Sequence, residues 1–170
     1  MTAPFHTLLD AHSHRAQRAA LGFLGRPEEA REAAQESLLK AWRARDRYDP
    51  SRPFYPWLYR IIKNHCLDQL AKRRIRKPAA VEVERLADSG PDPALAAERA
   101  QSRARLYAAL QELPEPQREI LNLRHFQDLS YAEIGEILDL KEGTVMSRLF
   151  RARKALAKQM KQTTGSGGAA

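Results

Sequence analysis

Histidine and cysteine are where covalent or metal chemistry would start, and here their spacing opposes both. His65 and Cys66 are neighbours on a helical stretch. Their side chains diverge by about 100° and cannot pair as base and nucleophile. His12 and His14 stand two apart without a second ligand pair at zinc spacing, and there is no glycine-rich phosphate loop. Neither catalysis nor a metal or other cofactor is expected. The histidines read as surface residues, with His125 packed. One cysteine allows no internal disulfide, which fits a reducing compartment.

Two other groups have chemistry suited to nucleic acid. Met146, Ser147, Phe150, Arg151 and Lys154 share one helical face, while Val145, Leu149, Ala152 and Leu156 repeat on the opposite side. Arg151 fits a forked contact to a guanine edge, Ser147 a base or phosphate, and Phe150 a thymine methyl. Arg148, Arg153 and Lys158 lie to the sides and suit phosphates, which position a protein without conferring sequence preference. The second group is aromatic. Tyr48, Phe54, Tyr55, Trp57 and Tyr59 fall within one short stretch, and Trp57 shares a side with Arg60 and Asn64 through helical spacing. An aromatic beside cations and an amide suits an unstacked base on a single strand, at about 1 to 3 kcal/mol per stacked base. The same rings also suit a small helical core, with Phe54 inside and Trp57 mixed.

Helices position both groups. Asp92-Pro93 opens a helix carrying Leu95, Leu106, Leu110 and Leu113, which Pro114 and Pro116 end; a second carries Ile120, Leu121 and Leu123. Ser130 and Glu133 spell a capping box before Ile134, Ile137 and Leu138, and a turn at Asp139 to Lys141 leads into the basic helix. This is a helix-turn-helix pattern, suited to the major groove. Towards the N-terminus, periodicity predicts helices over 15–24, 28–47 and about 56–74. The third has a core stripe of Leu58, Ile61, Ile62 and Cys66, with Arg60, Lys63, Asn64 and Arg74 outward.

The expected fold is all-α: two small helical domains joined by a flexible acidic linker, the C-terminal one holding the helix-turn-helix. Residues 1–77 form the first domain, 78–93 the linker, 94–161 the second domain and 162–170 a disordered tail. The 170 residues, with few aromatics, leave little room for a large catalytic domain. No apolar stretch is long enough to span a bilayer and the start lacks a signal-peptide pattern, so a cytoplasmic protein without membrane insertion is expected. The net charge of +8 divides as +8, −3 and +3 over 1–77, 78–93 and 94–170. Basic density is focused on Arg60 to Lys77 and Arg148 to Lys161, pointing to a polyanionic partner.

Three blocks in order carry a family resemblance: Glu28-Glu-Ala-Arg-Glu-Ala-Ala-Gln-Glu-Ser-Leu-Leu-Lys-Ala-Trp42, Arg47 to Asn64, and Leu113 to Phe126 continuing through Leu129 to Leu156. Over about 15–160 the chain resembles the extracytoplasmic-function sigma factors of bacterial RNA polymerase. The resemblance implies that 1–77 is a region 2 domain and 94–161 a region 4 domain. It implies that Glu32, Gln35, Glu36 and Leu39 dock on the coiled coil of the polymerase's largest subunit. Tyr48, Trp57, Tyr59, Arg60, Lys63 and Asn64 would melt and read the minus-ten element. Thr144, Met146, Ser147, Arg148, Phe150, Arg151 and Lys154 would read the minus-thirty-five element. Ala33-Ala34 stands where a bulkier Leu-Val pair is common, and Met146 where Arg or Lys is usual. The implied partners are core RNA polymerase through its coiled coil and flap, double-stranded and melted promoter DNA in the nucleoid, and an anti-sigma factor.

The linker also gains a meaning. About sixteen disordered residues average roughly 20 to 25 Å end to end and reach about 55 Å stretched. Two elements one and a half DNA turns apart need about 50 Å. The polymerase is therefore expected to hold the linker extended. The competing reading is a stand-alone helix-turn-helix regulator, yet no heptad seam supplies the dimer such regulators use. The Trp57, Arg60 and Asn64 group would have no work in it.

Overall fold

The computed structural model of the chain describes residues 4–76 and 92–165. Among them every regular element is helical. Helix α1 spans Phe5–Leu24, ten residues more than the periodicity predicts, because Phe5, Leu8 and Leu9 add a first turn packed on the core. Polar residues between them blur that pattern. The helix ends at Gly25, whose φ of 75° requires a residue tolerant of the left-handed region, and whose N–H bonds Leu21 O at 2.9 Å. Pro27 then starts α2, Pro27–Arg43. The stretch expected to remain helical to 47 breaks at Ala44 and tightens into a 3-10 turn, Arg45–Arg47. Helix α3, Phe54–Arg76, follows the proline-rich loop.

Small side chains bring these three helices close. Ala16, Ala19, Ala20, Ala30, Ala33, Ala34 and Ala41 are all buried, and Phe23, Leu58, Ile62 and Cys66 fill the space they leave. Interiors pack densely, so large residues opposite alanines interlock where two large faces would not fit.

In the C-terminal half, Asp92 caps α4, Pro93–Gln111, accepting from Ala94 N at 2.9 Å. Leu95, expected on the packed side, is exposed, while Leu110 and Leu113 are buried. Pro116 sits in the first turn of α5, Glu115–Leu121, where its missing N–H costs nothing. The chain then widens into a π turn over Asn122–Phe126, with Gln127 N bonded to Asn122 O at 3.2 Å. Helix α6 is Tyr131–Leu138 and α7 is Glu142–Gly165. The capping box forms in both directions, Glu133 N to Ser130 Oγ at 3.2 Å and Ser130 N to Glu133 Oε2 at 2.8 Å. Helix α7 continues beyond Lys161 into the segment expected to be a disordered tail, since nothing before Gly165 breaks a helix. Residues 78–91 of the expected linker and 166–170 of the expected tail lie outside the described residues.

The two halves share one buried core and pack directly on each other. Asn122 of the π turn is buried against α1, donating to Ala19 O at 3.0 Å. Tyr55 of α3 donates to Gln127, and Arg15 of α1 meets Glu133 of the α6 cap at 3.0 Å.

Candidate nucleic-acid interface

Helix α7 is built from its buried stripe outward. Val145, Leu149 and Ala152 have no exposed surface, fixing the rotation of the helix. Met146 is consequently 57% exposed and Phe150 68% exposed, beside exposed Ser147, Arg148, Arg151 and Lys154, with Thr144 half-buried. Ser147 Oγ donates to Thr144 O at 3.1 Å, and Arg151 Nε donates to Ser147 O at 3.4 Å, so this exposed side chain folds back along its own helix. A shallow groove bordered by Arg151, Lys154, Lys158 and Lys161 continues the positive surface. The turn that presents α7 is tight: a Cβ on Gly135 would meet Leu140 O at 2.6 Å, and Asp139 takes a φ of 55°. Apolar ends, a hydroxyl and cations on a single exposed helix face match a duplex groove wall.

The aromatic group divides. Tyr48 and Trp57 are half-buried in a cluster whose centre is Phe5, with centroids 6.1 Å and 6.0 Å from it, and Phe54 lies beneath at 5.4 Å. Tyr48 Oη donates to Arg52 O at 2.8 Å, tying the proline-rich loop. Arg60 and Asn64 are exposed on the following turns of α3. Tyr59 is only 1% exposed, and its hydroxyl donates to Glu119 Oε1 of α5 at 3.1 Å. Lys63 Nζ lies 2.9 Å from the same carboxylate and 3.1 Å from that of Glu115. Four of the six residues expected to meet the minus-ten element thus reach the surface together; Tyr59 and Lys63 are held by the other half. Burial, then the Glu119 carboxylate, hold Tyr59 well above the usual 10.0. Burial pulls Lys63 down, but Glu119 and Glu115 outweigh it and leave its pKa raised above 10.5.

Glu32, Gln35, Glu36 and Leu39 form an exposed face on α2, extended by Trp42 under the Arg45 guanidinium at 5.0 Å. Ala33 and Ala34 point the other way, into the core, so their small size serves the packing on α1 and α3. An acidic, partly apolar face in a basic half suits a protein surface better than DNA.

The histidines and the cysteine sort by geometry. Cys66 is fully buried, which pushes its thiol up to about 12. His65 turns towards Lys40 on α2, 2.7 Å from its ammonium, and burial and that charge lower its pKa. His125, expected to be packed, is exposed beside Arg153 at 3.3 Å, because the π turn swings it out. Sequence reasoning missed Phe5, Glu119, Asn122 and Gln127. No local signal marked them: Asn122 and Gln127 flank Leu123-Arg124-His125-Phe126, a mixed turn, and their burial arises only in the folded chain.

The family model for Sigma-70 region 2 matches residues 8–76, and that for Sigma-70 region 4 matches residues 103–156. The RNA polymerase sigma-H factor of Pseudomonas aeruginosa is 36% identical over 165 residues, covering 92% of this chain and 86% of its own length. The ECF RNA polymerase sigma factor SigW of Bacillus subtilis is 30% identical, covering 92% and 89%. The ECF RNA polymerase sigma-E factor of Salmonella typhimurium is 36% identical, covering 74% and 70%. Among solved structures, CnrH in complex with the cytosolic domain of CnrY aligns with a TM-score of 0.65 at 26% identity, covering 93% of this chain and 88% of that one. With both regions matched in order and relatives aligned over most of its length, the chain belongs to the extracytoplasmic-function sigma factors, which direct RNA polymerase to promoter-specific initiation.

Proposed function

We propose that this sigma factor divides promoter recognition between two faces. Thr144, Met146, Ser147, Arg148, Phe150, Arg151 and Lys154 enter the major groove of the minus-thirty-five element. Tyr48, Trp57, Arg60 and Asn64, joined by Tyr59 and Lys63 once these leave Glu119, take the opened strand of the minus-ten element. Glu32, Gln35, Glu36, Leu39 and the neighbouring Trp42 dock on the coiled coil of the polymerase's largest subunit, and the C-terminal half meets the flap. The chain acts in the cytoplasm, on the nucleoid, and contributes no catalytic step of its own. CnrH was solved with the cytosolic domain of CnrY, and the sigma factor RpoE of Bartonella quintana with the anti-sigma factor NepR; a protein partner of that kind is proposed to restrain this chain as well.

One observation carries this reading: exposed Met146, Phe150 and Arg151 stand directly opposite a fully buried Val145, Leu149 and Ala152 stripe. Exposing two large apolar side chains among cations has no packing purpose, and it matches groove recognition. Run-off transcription from core RNA polymerase supplemented with the chain tests it on candidate promoters. Transcripts should start at discrete sites and vanish without the chain; their absence from every promoter tried would overturn the reading.

A further inference from the structure

Phosphates flanking a recognition helix are held from the edges of its reading face, and one edge of α7 carries a histidine from another element. Met146, Phe150 and Arg153 follow at four and three residues, so Arg153 borders the exposed apolar pair. The π turn over Asn122–Phe126 brings His125 against it. Both side chains are exposed, and Arg153 Nε donates to His125 Nε2 at 3.3 Å. Accepting that bond requires a neutral ring with its proton on Nδ1. Partial loss of water, then the Arg153 and Arg124 guanidiniums, hold the pKa of His125 below the ordinary 6.5. Arg124 is itself turned to Leu129 O at 2.9 Å and to the Asp128 carboxylate at 3.5 Å, and Arg18 of α1 donates to Phe126 O. An imidazole set among cations, at the border of a duplex-reading face, is completed by an anion.

We propose that His125 and Arg153 close together on one DNA phosphate beside the groove that α7 reads, and that this binding places a proton on His125. The proposal rests on the reading of α7 as the duplex-reading helix. A phosphate oxygen takes the Arg153 N–H in place of His125 Nε2. The freed Nε2 takes one proton from solvent and donates to the same phosphate, so each complex gains one proton. The phosphate charge offsets the neighbouring guanidiniums and favours the charged ring, which gives His125 a higher pKa on DNA than in the free chain. Duplex affinity therefore rises as pH falls through the higher, bound pKa and levels off below the lower, free one. Because the contact is to a phosphate, it strengthens binding to any sequence and leaves promoter preference to Ser147, Phe150 and Arg151.

Fluorescence anisotropy of the full chain on a short labelled duplex of randomised sequence tests this, between about pH 8 and about pH 5.5 at fixed salt. Measured against His125→Gln, which cannot take up the proton, the wild-type chain should gain roughly threefold to tenfold in affinity on acidification. His125→Lys places a permanent cation at the same point. It should bind at about pH 8 as tightly as the wild type does at about pH 5.5. The slope of log affinity against log salt should steepen by about 0.9 on acidification in the wild type and stay constant in both variants. Circular dichroism should show unchanged helix content. A His125→Gln profile parallel to the wild type, or a His125→Lys chain no tighter than the wild type at about pH 8, would overturn the proposal and leave the groove reading standing. Lys154→Glu checks that reading separately. It should weaken duplex binding at every pH, and an unchanged affinity would overturn the groove reading itself and the phosphate contact with it.

Discussion

The tasks proposed for single side chains of this sigma factor can be told apart by substitution. Arg151 lies on an exposed helix face, and removing one base contact typically costs about 1 to 3 kcal/mol. Arg151→Ala should weaken binding to a preferred minus-thirty-five duplex by that amount while barely changing affinity for unrelated duplex, measured by competition at fixed salt. An equal loss on all sequences would instead mark a phosphate contact. Trp57 is half-buried in the ring cluster around Phe5, so it has both a packed edge and a free one. In the reconstituted holoenzyme, Trp57→Ala should leave closed-complex binding nearly intact and impair strand opening, read as loss of permanganate reactivity at unpaired thymines. Unchanged opening would return Trp57 to the core alone.

At the scale of elements, the helix-turn-helix depends on its cap and its turn. Ser130→Ala removes the acceptor for Glu133 N and should cost about 1 kcal/mol of stability by chemical denaturation. Glu133 is also pH-sensitive. The Ser130 N–H above all, then the Arg15 guanidinium, hold its carboxyl below the usual 4.5. A depressed pKa means that its contribution is full above 4.5 and lost as pH falls through the lower folded value. Melting temperature should therefore drop as pH is lowered from neutral to about 3, and the drop should be smaller in Glu133→Gln.

Over the whole molecule, the packing of the halves should respond to alkali. Tyr59, facing Glu119, Tyr55 and Cys66, and Lys63, facing Glu119 and Glu115, both have raised pKa values. Tyr55, beside Gln127, Arg15 and Arg18, is raised chiefly by burial. Groups whose pKa is raised on folding stabilise fully below their ordinary values, here 10.0 and 10.5, and lose that contribution above them. The radius of gyration from solution scattering should stay constant up to about pH 10 and then increase. A flat profile well beyond that range would show that these groups do not hold the halves together.

Much of this was legible in the residues themselves. Ser130 with Glu133 announced the cap, the spacing of Val145, Leu149 and Ala152 fixed which side of α7 is buried, and Phe54 and Cys66 fell in the core as their stripe required. Local periodicity records which face of a helix is apolar, so such features survive in a linear reading. The contacts of Tyr59 and Lys63 did not. Tyr59 and Glu119 are 60 positions apart, and Lys63 and Glu119 are 56 apart. Nothing within one helical turn of either tyrosine or lysine points to α5. The sequence by itself determined the helices, the helix-turn-helix and the sigma-factor family, because these follow from short-range spacing and ordered motifs. Only the tertiary structure decided that Glu119 holds Tyr59 and Lys63 and that Asn122 packs against Gly22, because those contacts exist only once the two halves meet.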